Sequence, residues 1–122
     1  MKSPTYEACL AASRLLVYLK KTKNKGLFYS GSSLNHHVYS DSDWAGDLDT
    51  RRSTSGYVAI MAGAPISWIS KLQSIVATSS MEAEYVSAYP CVQEVVWIRA
   101  VLHHLELTRT KPPVLLIDNK SA

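Results

Sequence analysis

At 122 residues, 47% of them hydrophobic and 19% charged, the chain is long enough for one domain with one apolar core and too apolar for a disordered segment. No apolar run approaches the roughly 18 residues of a membrane helix, and the N-terminus lacks the charged-then-apolar plan of a secretory signal. The net charge of +3 is uneven: residues 1–25 carry six basic side chains against Glu7 alone, a net of +5, and the other 97 residues carry seven basic against nine acidic, a net of −2. A basic leading segment on a slightly acidic body suits a phosphate-bearing partner, although a solvated lysine-rich helix end explains it as well. Cys9 and Cys91 have no metal-ligand spacing and neither sits in a CxxC, so a reduced intracellular compartment is the simplest expectation.

Ser3-Pro4 can open a helix, with Ser3 as N-cap and Pro4 at the first helical position. Ala8, Ala11, Ala12, Leu15, Leu16 and Leu19 follow helical spacing on one face. Lys20 and Lys21 suit the negative end of the dipole, and Gly26 is the expected C-cap. Residues 27–62 read as extended. Leu34 to Asp41 is a first strand, and Gly56 to Ala62 a second, rich in β-forming side chains. Gly63-Ala64-Pro65 reads as a turn and Ile66 to Ile69 as a third strand. Asp47 to Ser55 is a polar loop between the first two.

A long helix then starts at Thr78-Ser79-Ser80, with Ser79 and Glu82 in the S-x-x-E capping pattern. Tyr85, Ala88, Val92, Val95, Val96, Leu102 and Leu105 sustain helical spacing as its inward stripe. Pro90 interrupts this pattern and is expected to kink or split the helix. After Lys111-Pro112-Pro113, the run Val114-Leu115-Leu116-Ile117 reads as a short strand buried on both faces. The order is helix, three strands with short connections, long helix, strand. Short connections favour an antiparallel meander, and a helical crossover makes the last strand parallel to its neighbour.

Three acidic positions can converge. Asp41 ends the first strand, Glu82 and Glu84 lie in the first turns of the long helix, and Asp118 ends the last strand. If the first and last strands are parallel neighbours, Asp41 and Asp118 come close, and a glutamate from the helix completes the set. Gathered carboxylates repel unless a cation neutralises them, and an all-oxygen donor set suits Mg²⁺ or Mn²⁺. Each position has a plainer role available. Asp at a strand end is commonly a turn former, Asp118-Asn119 can be a turn or helix N-cap, and Glu82 can be taken up by the capping pattern. That last role leaves Glu84 as the glutamate free to bind metal.

The longer strings are more specific. Tyr39-Ser40-Asp41-Ser42-Asp43-Trp44-Ala45-Gly46, then Arg51-Arg52-Ser53-Thr54-Ser55-Gly56-Tyr57, then Ser67-Trp68 with Ser70-Lys71-Leu72-Gln73, then Ser79 to Tyr85, then Asp118 to Ala122, resemble in order the motifs of the ribonuclease H domain of copia-type retrotransposon Pol polyproteins. Arg14 to Lys25 resembles the helix linking reverse transcriptase to that domain. The resemblance implies an α/β fold: a ribonuclease H-like mixed sheet, three antiparallel strands plus a parallel fourth, with helices. It implies residues 1–26 as the connection helix and 27–122 as the ribonuclease H-like unit. It implies cleavage of the RNA strand of an RNA–DNA hybrid during reverse transcription, with two Mg²⁺ or Mn²⁺ ions per site. Asp41, Glu84 and Asp118 are then the catalytic and metal-binding residues, with Arg51, Arg52 and Lys71 as candidate nucleic-acid contacts. The partners implied are the hybrid and the rest of the reverse transcriptase polyprotein, with no membrane. The place implied is intracellular, cytoplasmic in a virus-like particle or nuclear, not secreted. The family's fourth acidic residue, next helix and last strand have no counterpart up to Ala122, so a C-terminally incomplete domain with an exposed edge or apolar patch is expected. The alternative function is an inactive remnant that at most contacts nucleic acid or protein.

Other residues carry weaker signals. Trp44, Trp68 and Trp97 can stack on nucleotides, but packing is the expected role. His36-His37 and His103-His104 are poor chelates, because adjacent side chains diverge in strands and helices. Ser53 and Ser55 have no base beside them in sequence to make nucleophiles of them.

Overall fold

The computed structural model describes residues 3–30, 34–107 and 111–118. Helix α1 spans Tyr6–Thr22. Strands β1 (His36–Asp43), β2 (Thr54–Met61) and β3 (Ala64–Leu72) follow, then helix α2 (Ser80–His104) and strand β4 (Val114–Ile117). The sheet order is β3-β2-β1-β4, antiparallel except for the parallel β1–β4 pair. This is the mixed α/β sheet expected of a ribonuclease H-like fold.

β1 alternates strictly. His36, Val38 and Ser40 are buried and His37, Tyr39 and Asp41 exposed, so the even-numbered side chains face one layer and the odd-numbered the other. α2 covers the even face. Val38, Ala59, Cys91, Ile98 and Leu102 form the core there, with Tyr57, Met61, Ile66, Val95 and Leu115 packed around it. On the odd face His37 and Tyr39 meet edge to face at 6.3 Å, and among the described residues no helix packs against them.

Several boundaries differ from the expectations. The α1 N-cap is Thr5, whose hydroxyl accepts from the Ala8 amide at 3.2 Å, and not Ser3. Its C-cap is Lys23 rather than Gly26, so the chain leaves the helix without using the glycine. The β2–β3 turn is Ala62-Gly63, with φ of 53° and 83°, the left-handed pair that a two-residue hairpin demands. Ala64 and Pro65 already belong to β3, where an edge strand tolerates a proline.

β4 has the predicted bounds but a different setting. Leu115 and Ile117 are half-buried, and Val114 and Leu116 are 49% and 41% exposed. It is an edge strand covered on one face, because among the described residues only β1 pairs with it. α2 is not split at Pro90. The residues on either side of the proline are tied down: the Ser87 hydroxyl donates to the Asp41 carbonyl at 2.6 Å, and Cys91 is fully buried in the core. Tertiary anchoring thus holds the helix through the one amide that proline removes.

The inward stripe of α2 also differs from the apolar reading. Ala83, Glu84, Ser87, Cys91, Ile98 and Leu102 are buried, whereas Tyr85, Val92, Val96 and Leu105 lie 49% or more exposed. Of the predicted stripe, Val95 and Leu102 face the core. Small side chains at Ala83, Ser87 and Cys91 let the helix approach the sheet closely, and this close approach decides its rotation. The larger apolar residues are left on its outer face. α1 buries none of its residues and touches no other element among the described residues.

The rotation of α2 is testable by urea unfolding. Leu102→Ala should cost about 2–5 kcal/mol as a core truncation, while Val96→Ala should stay within about 0.5 kcal/mol of the native chain. Similar losses at both positions would mean that the helix sits rotated.

Candidate active site

Asp41 lies on β1 opposite Gly56, its side chain on the exposed face and its carbonyl held from behind by Ser87. The same hydroxyl also reaches the Gly56 carbonyl at 3.4 Å, and Ser40 donates to it at 3.1 Å. These bonds join the start of α2 to the centre of the sheet at this end. A Cβ on Gly56 would meet the Ile69 carbonyl at 3.6 Å, ordinary contact, so space alone does not demand glycine there.

The parallel register runs His37↔Val114, Val38↔Leu115, Tyr39↔Leu116 and Ser40↔Ile117. Asp118 follows directly after β4, so one further step of the same register would bring it level with Asp41. Parallel neighbours lie about 4.8 Å apart and their in-register side chains share a face; Asp41 and Asp118 are both exposed. Asn119 to Ala122, which complete that sequence motif, lie outside the described residues.

Glu84 arrives from the other side. It is 7% exposed and its Oε1 accepts from the Ser42 hydroxyl at 2.9 Å. Its Oε2 is buried without a hydrogen-bond partner. Glu82 has the structural role foreseen for it. Its amide donates to the Ser79 hydroxyl at 3.1 Å, and its carboxylate accepts from the Thr78 amide at 2.6 Å and the Thr78 hydroxyl at 2.7 Å. The side-chain bond therefore closes on Thr78, one residue before the cap. Those bonds hold the Glu82 carboxyl below its usual range.

Two of the carboxylates are thus split by the sheet: Asp41 on the odd face, Glu84 on the even face beneath Ser42. Among the described residues no three His, Cys, Asp or Glu side chains are gathered closely enough to hold a metal ion. The donor chemistry nonetheless suits a hard cation, and the unpaired Glu84 oxygen is the kind of buried acceptor that a cation satisfies. Asp43 is exposed, beside Gly46, where an added Cβ would collide with its carboxylate. It belongs to the turn rather than to the pair.

Arg51 and Arg52 sit in a tight turn organised by Asp47. Asp47 Oδ1 accepts from the Thr50 amide and hydroxyl, both at 2.7 Å, and its carbonyl accepts from the Arg51 amide at 2.8 Å. The Thr50 bonds lower the Asp47 carboxyl pKa. Arg51 takes a left-handed φ of 58° and is exposed, as is Lys71 near the end of β3. Trp44 donates its indole N–H to the Ala77 carbonyl at 3.2 Å. Trp68 and Trp97 are 63% and 60% exposed rather than packed. His36 is buried and His37 exposed, so that pair diverges as strand geometry requires. Burial pushes the Cys91 thiol up, the opposite of what a reactive thiolate needs.

Ser42, Gln73 and Ser87 take part in the site without standing out in the sequence. The available signal was positional. Ser40 and Ser42 share the inward parity of β1 with Val38, and Ser87 lies one turn after Ala83 on the stripe that nears the sheet.

The chain is similar along its whole length to segments of retrovirus-related Pol polyproteins. It is 46% identical over 123 residues to that of transposon RE1 of Arabidopsis thaliana and 38% identical over 122 residues to that of transposon TNT 1-94 of Nicotiana tabacum. It spans 8% and 9% of the length of those two polyproteins. Secreted RxLR effector protein 161 of Plasmopara viticola is 46% identical over 89 residues, which are 72% of this chain and 63% of the effector. No protein-family model and no solved structure matches the chain. The chain is therefore a homologue of a transposon Pol segment.

The acid side of its stability follows from Glu82 and Asp47. Both have folded pKa values below their ordinary 4.5 and 3.8. Their contributions are present above the unfolded values and are lost as pH falls through the folded ones. Melting temperature should therefore drop on acidification below about pH 4.5, and Glu82→Gln should flatten part of that drop. An unchanged acid profile in Glu82→Gln would remove Glu82 from the account.

Proposed function

We propose that the chain is the ribonuclease H part of a copia-type retrotransposon Pol polyprotein. In this reading residues 1–26 are the helix that joins it to the reverse transcriptase, and residues 27–122 hydrolyse the RNA strand of an RNA–DNA hybrid. The observation that carries the reading is the parallel β1–β4 register, whose continuation past Ser40 and Ile117 would bring Asp118 level with Asp41. Homology to Pol polyproteins supports it, as does the isolation of α1 from every other element among the described residues.

Asp41, Glu84 and Asp118 would hold two Mg²⁺ or Mn²⁺ ions. When bound, such ions supply Lewis acidity to the attacking water and to the departing 3′ oxygen. The protein's own residues do the placing. Ser87 fixes the backbone of Asp41 through its carbonyl. The β1–β4 ladder, ending at Ser40 and Ile117 one residue before each aspartate, would set the spacing of Asp41 and Asp118. Glu84 offers a desolvated, unpaired oxygen from beneath. Arg51, Arg52 and Lys71, together with Lys20, Lys21, Lys23 and Lys25 of the basic segment, are the proposed phosphate contacts. Discrimination of RNA from DNA would come from the 2′-hydroxyl. The setting is an intracellular one, a cytoplasmic virus-like particle or the nucleus.

A second reading is an inactive homologue that keeps nucleic-acid or protein contacts. The separation of the carboxylates across the sheet among the described residues favours it, and the kinship with a secreted effector shows that such a segment occurs outside Pol polyproteins.

Cleavage of a labelled RNA–DNA hybrid in Mg²⁺ and in Mn²⁺ separates the two readings. The first predicts cutting of the RNA strand alone, with Asp41→Asn reducing the rate by two or more orders of magnitude in line with removing a metal ligand. Well-folded native chain that leaves the hybrid intact would establish the second.

A further inference from the structure

The two faces of the sheet are unequally covered. α2 lies on the even face, and among the described residues no helix packs on the odd one. Residues paired across strands share a face. The register therefore carries Tyr39 across to Val58 and Trp68 on one side and to Leu116 on the other, with Ile60 and Val114 in the next row. Tyr39, Trp68, Val114 and Leu116 are exposed, and the apolar band crosses four strands, about 14 Å. Asp41 and Asp43 share this face at the far end of β1. No lysine or arginine accompanies them, because Lys71, the one such residue in the strands, pairs with Ser55 on the other face.

α1 is the complementary surface. Its stripe from Ala8 to Leu19 is buried against nothing, although an amphipathic helix draws most of its stability from packing that face. Its charge is opposite to that of the open sheet face: Arg14, Lys20 and Lys21 stand against Glu7, and Lys23 and Lys25 follow. Its 17 residues make about 25 Å of helix, and the 8 residues of β1 make about 27 Å of strand, so the helix spans the face from end to end. Direction decides which copy of the helix fits. Only residues 23–28 separate α1 from Tyr29, whose hydroxyl donates to the Pro65 carbonyl at 2.7 Å beside the β2–β3 turn. Folded back from that tether onto its own sheet, α1 sets its lysines at the turn end of the strands, opposite to the end that holds Asp41 and Asp43. The α1 of another copy can lie the other way round, with its lysines over the aspartates.

We propose that the odd face of the sheet is the docking site for α1 of a second copy of this chain, two copies exchanging these helices about a two-fold axis. The exchange puts the turn end of each sheet beside the aspartate end of the other, and the two helix-on-sheet contacts are identical. The apolar stripe of α1 covers Tyr39, Trp68 and Leu116, and Lys20 and Lys21 meet Asp41 and Asp43. The pairing needs neither metal nor hybrid, so it stands apart from the hydrolytic reading. It covers Asp41, so a hybrid and a second copy exclude one another there.

The test is sedimentation equilibrium of the whole chain over a range of concentrations. The native chain is compared with a helix variant, Leu15→Gln with Leu19→Gln, and a face variant, Trp68→Thr with Leu116→Thr. All four side chains are exposed within one copy, so neither variant cuts into the core, and circular dichroism checks that each is folded. The native chain should sediment at twice the chain mass, and less tightly as salt is added. Either variant should dimerise about tenfold or more weakly. An equimolar mixture of the two variants should associate more tightly than either alone, because one intact helix then meets one intact face. A native chain that stays monomeric throughout, with α1 free or folded onto its own sheet, would overturn the proposal. So would a dimer that the face variant leaves unchanged, since helix would then be pairing with helix, or a mixture that gains nothing over its components.

Discussion

The seating of α2 on β1 governs the rest of the molecule, and one hydroxyl carries much of it. Ser87 is fully buried and donates to the Asp41 carbonyl at 2.6 Å. β1 needs its own carbonyls and amides for two ladders, one antiparallel and one parallel. A helix can bond to a backbone group at this point only by coming close, which requires small side chains on its inner face. Ala83, Ser87 and Cys91 meet that requirement at i, i+4, i+8 spacing. Once they are placed, the direction of Glu84, the burial of Ile98 and Leu102 and the exposure of Tyr85 and Val96 follow from helical geometry.

This explains why the fold was more legible in the sequence than the helix face. Strand order followed from connection lengths. Short links made the meander, and a helical crossover made β4 parallel to β1. Val114–Ile117 was readable because an apolar run between Pro113 and Asp118 has few other uses. Apolar size points to the wrong face of α2, because here closeness to the sheet outweighs hydrophobic area. Pro90 misled for a related reason: its cost is set in an isolated helix, whereas this helix is bonded to the sheet through Ser87 and packed into the core at Cys91.

The neutral residues that bond to the candidate carboxylates were the part hidden in the sequence. Choosing Glu84 over Glu82 rested on its place in the motif and on the capping argument, and Glu82 is bonded to Thr78 at the helix start. Asp41 and Asp118 were linked by topology alone. Ser42 and Gln73 carry no charge; Ser42 shares the inward parity of β1 but Gln73 lies in no periodic pattern, and their bonds depend on a tertiary approach that one-dimensional spacing does not encode. A pleated strand has two faces, so a carboxylate at position 41 and a hydroxyl at position 42 point apart. That parity sets Glu84 against the serine and leaves the aspartate on the other side of the sheet, facing solvent.

The central claim is that β4 runs parallel to β1 in a register that carries Asp118 to Asp41. The direct measurement is oxidation of an Asp41→Cys, Asp118→Cys double variant with Cys9→Ser, leaving Cys91 buried as in the native chain. Parallel neighbours about 4.8 Å apart lie within the Cα separation that a disulfide spans, so the account predicts rapid intramolecular disulfide formation under mild oxidant, read by mass spectrometry. Two thiols that stay free under conditions in which the protein remains folded would contradict the register, and with it the placement of Asp118 beside Asp41.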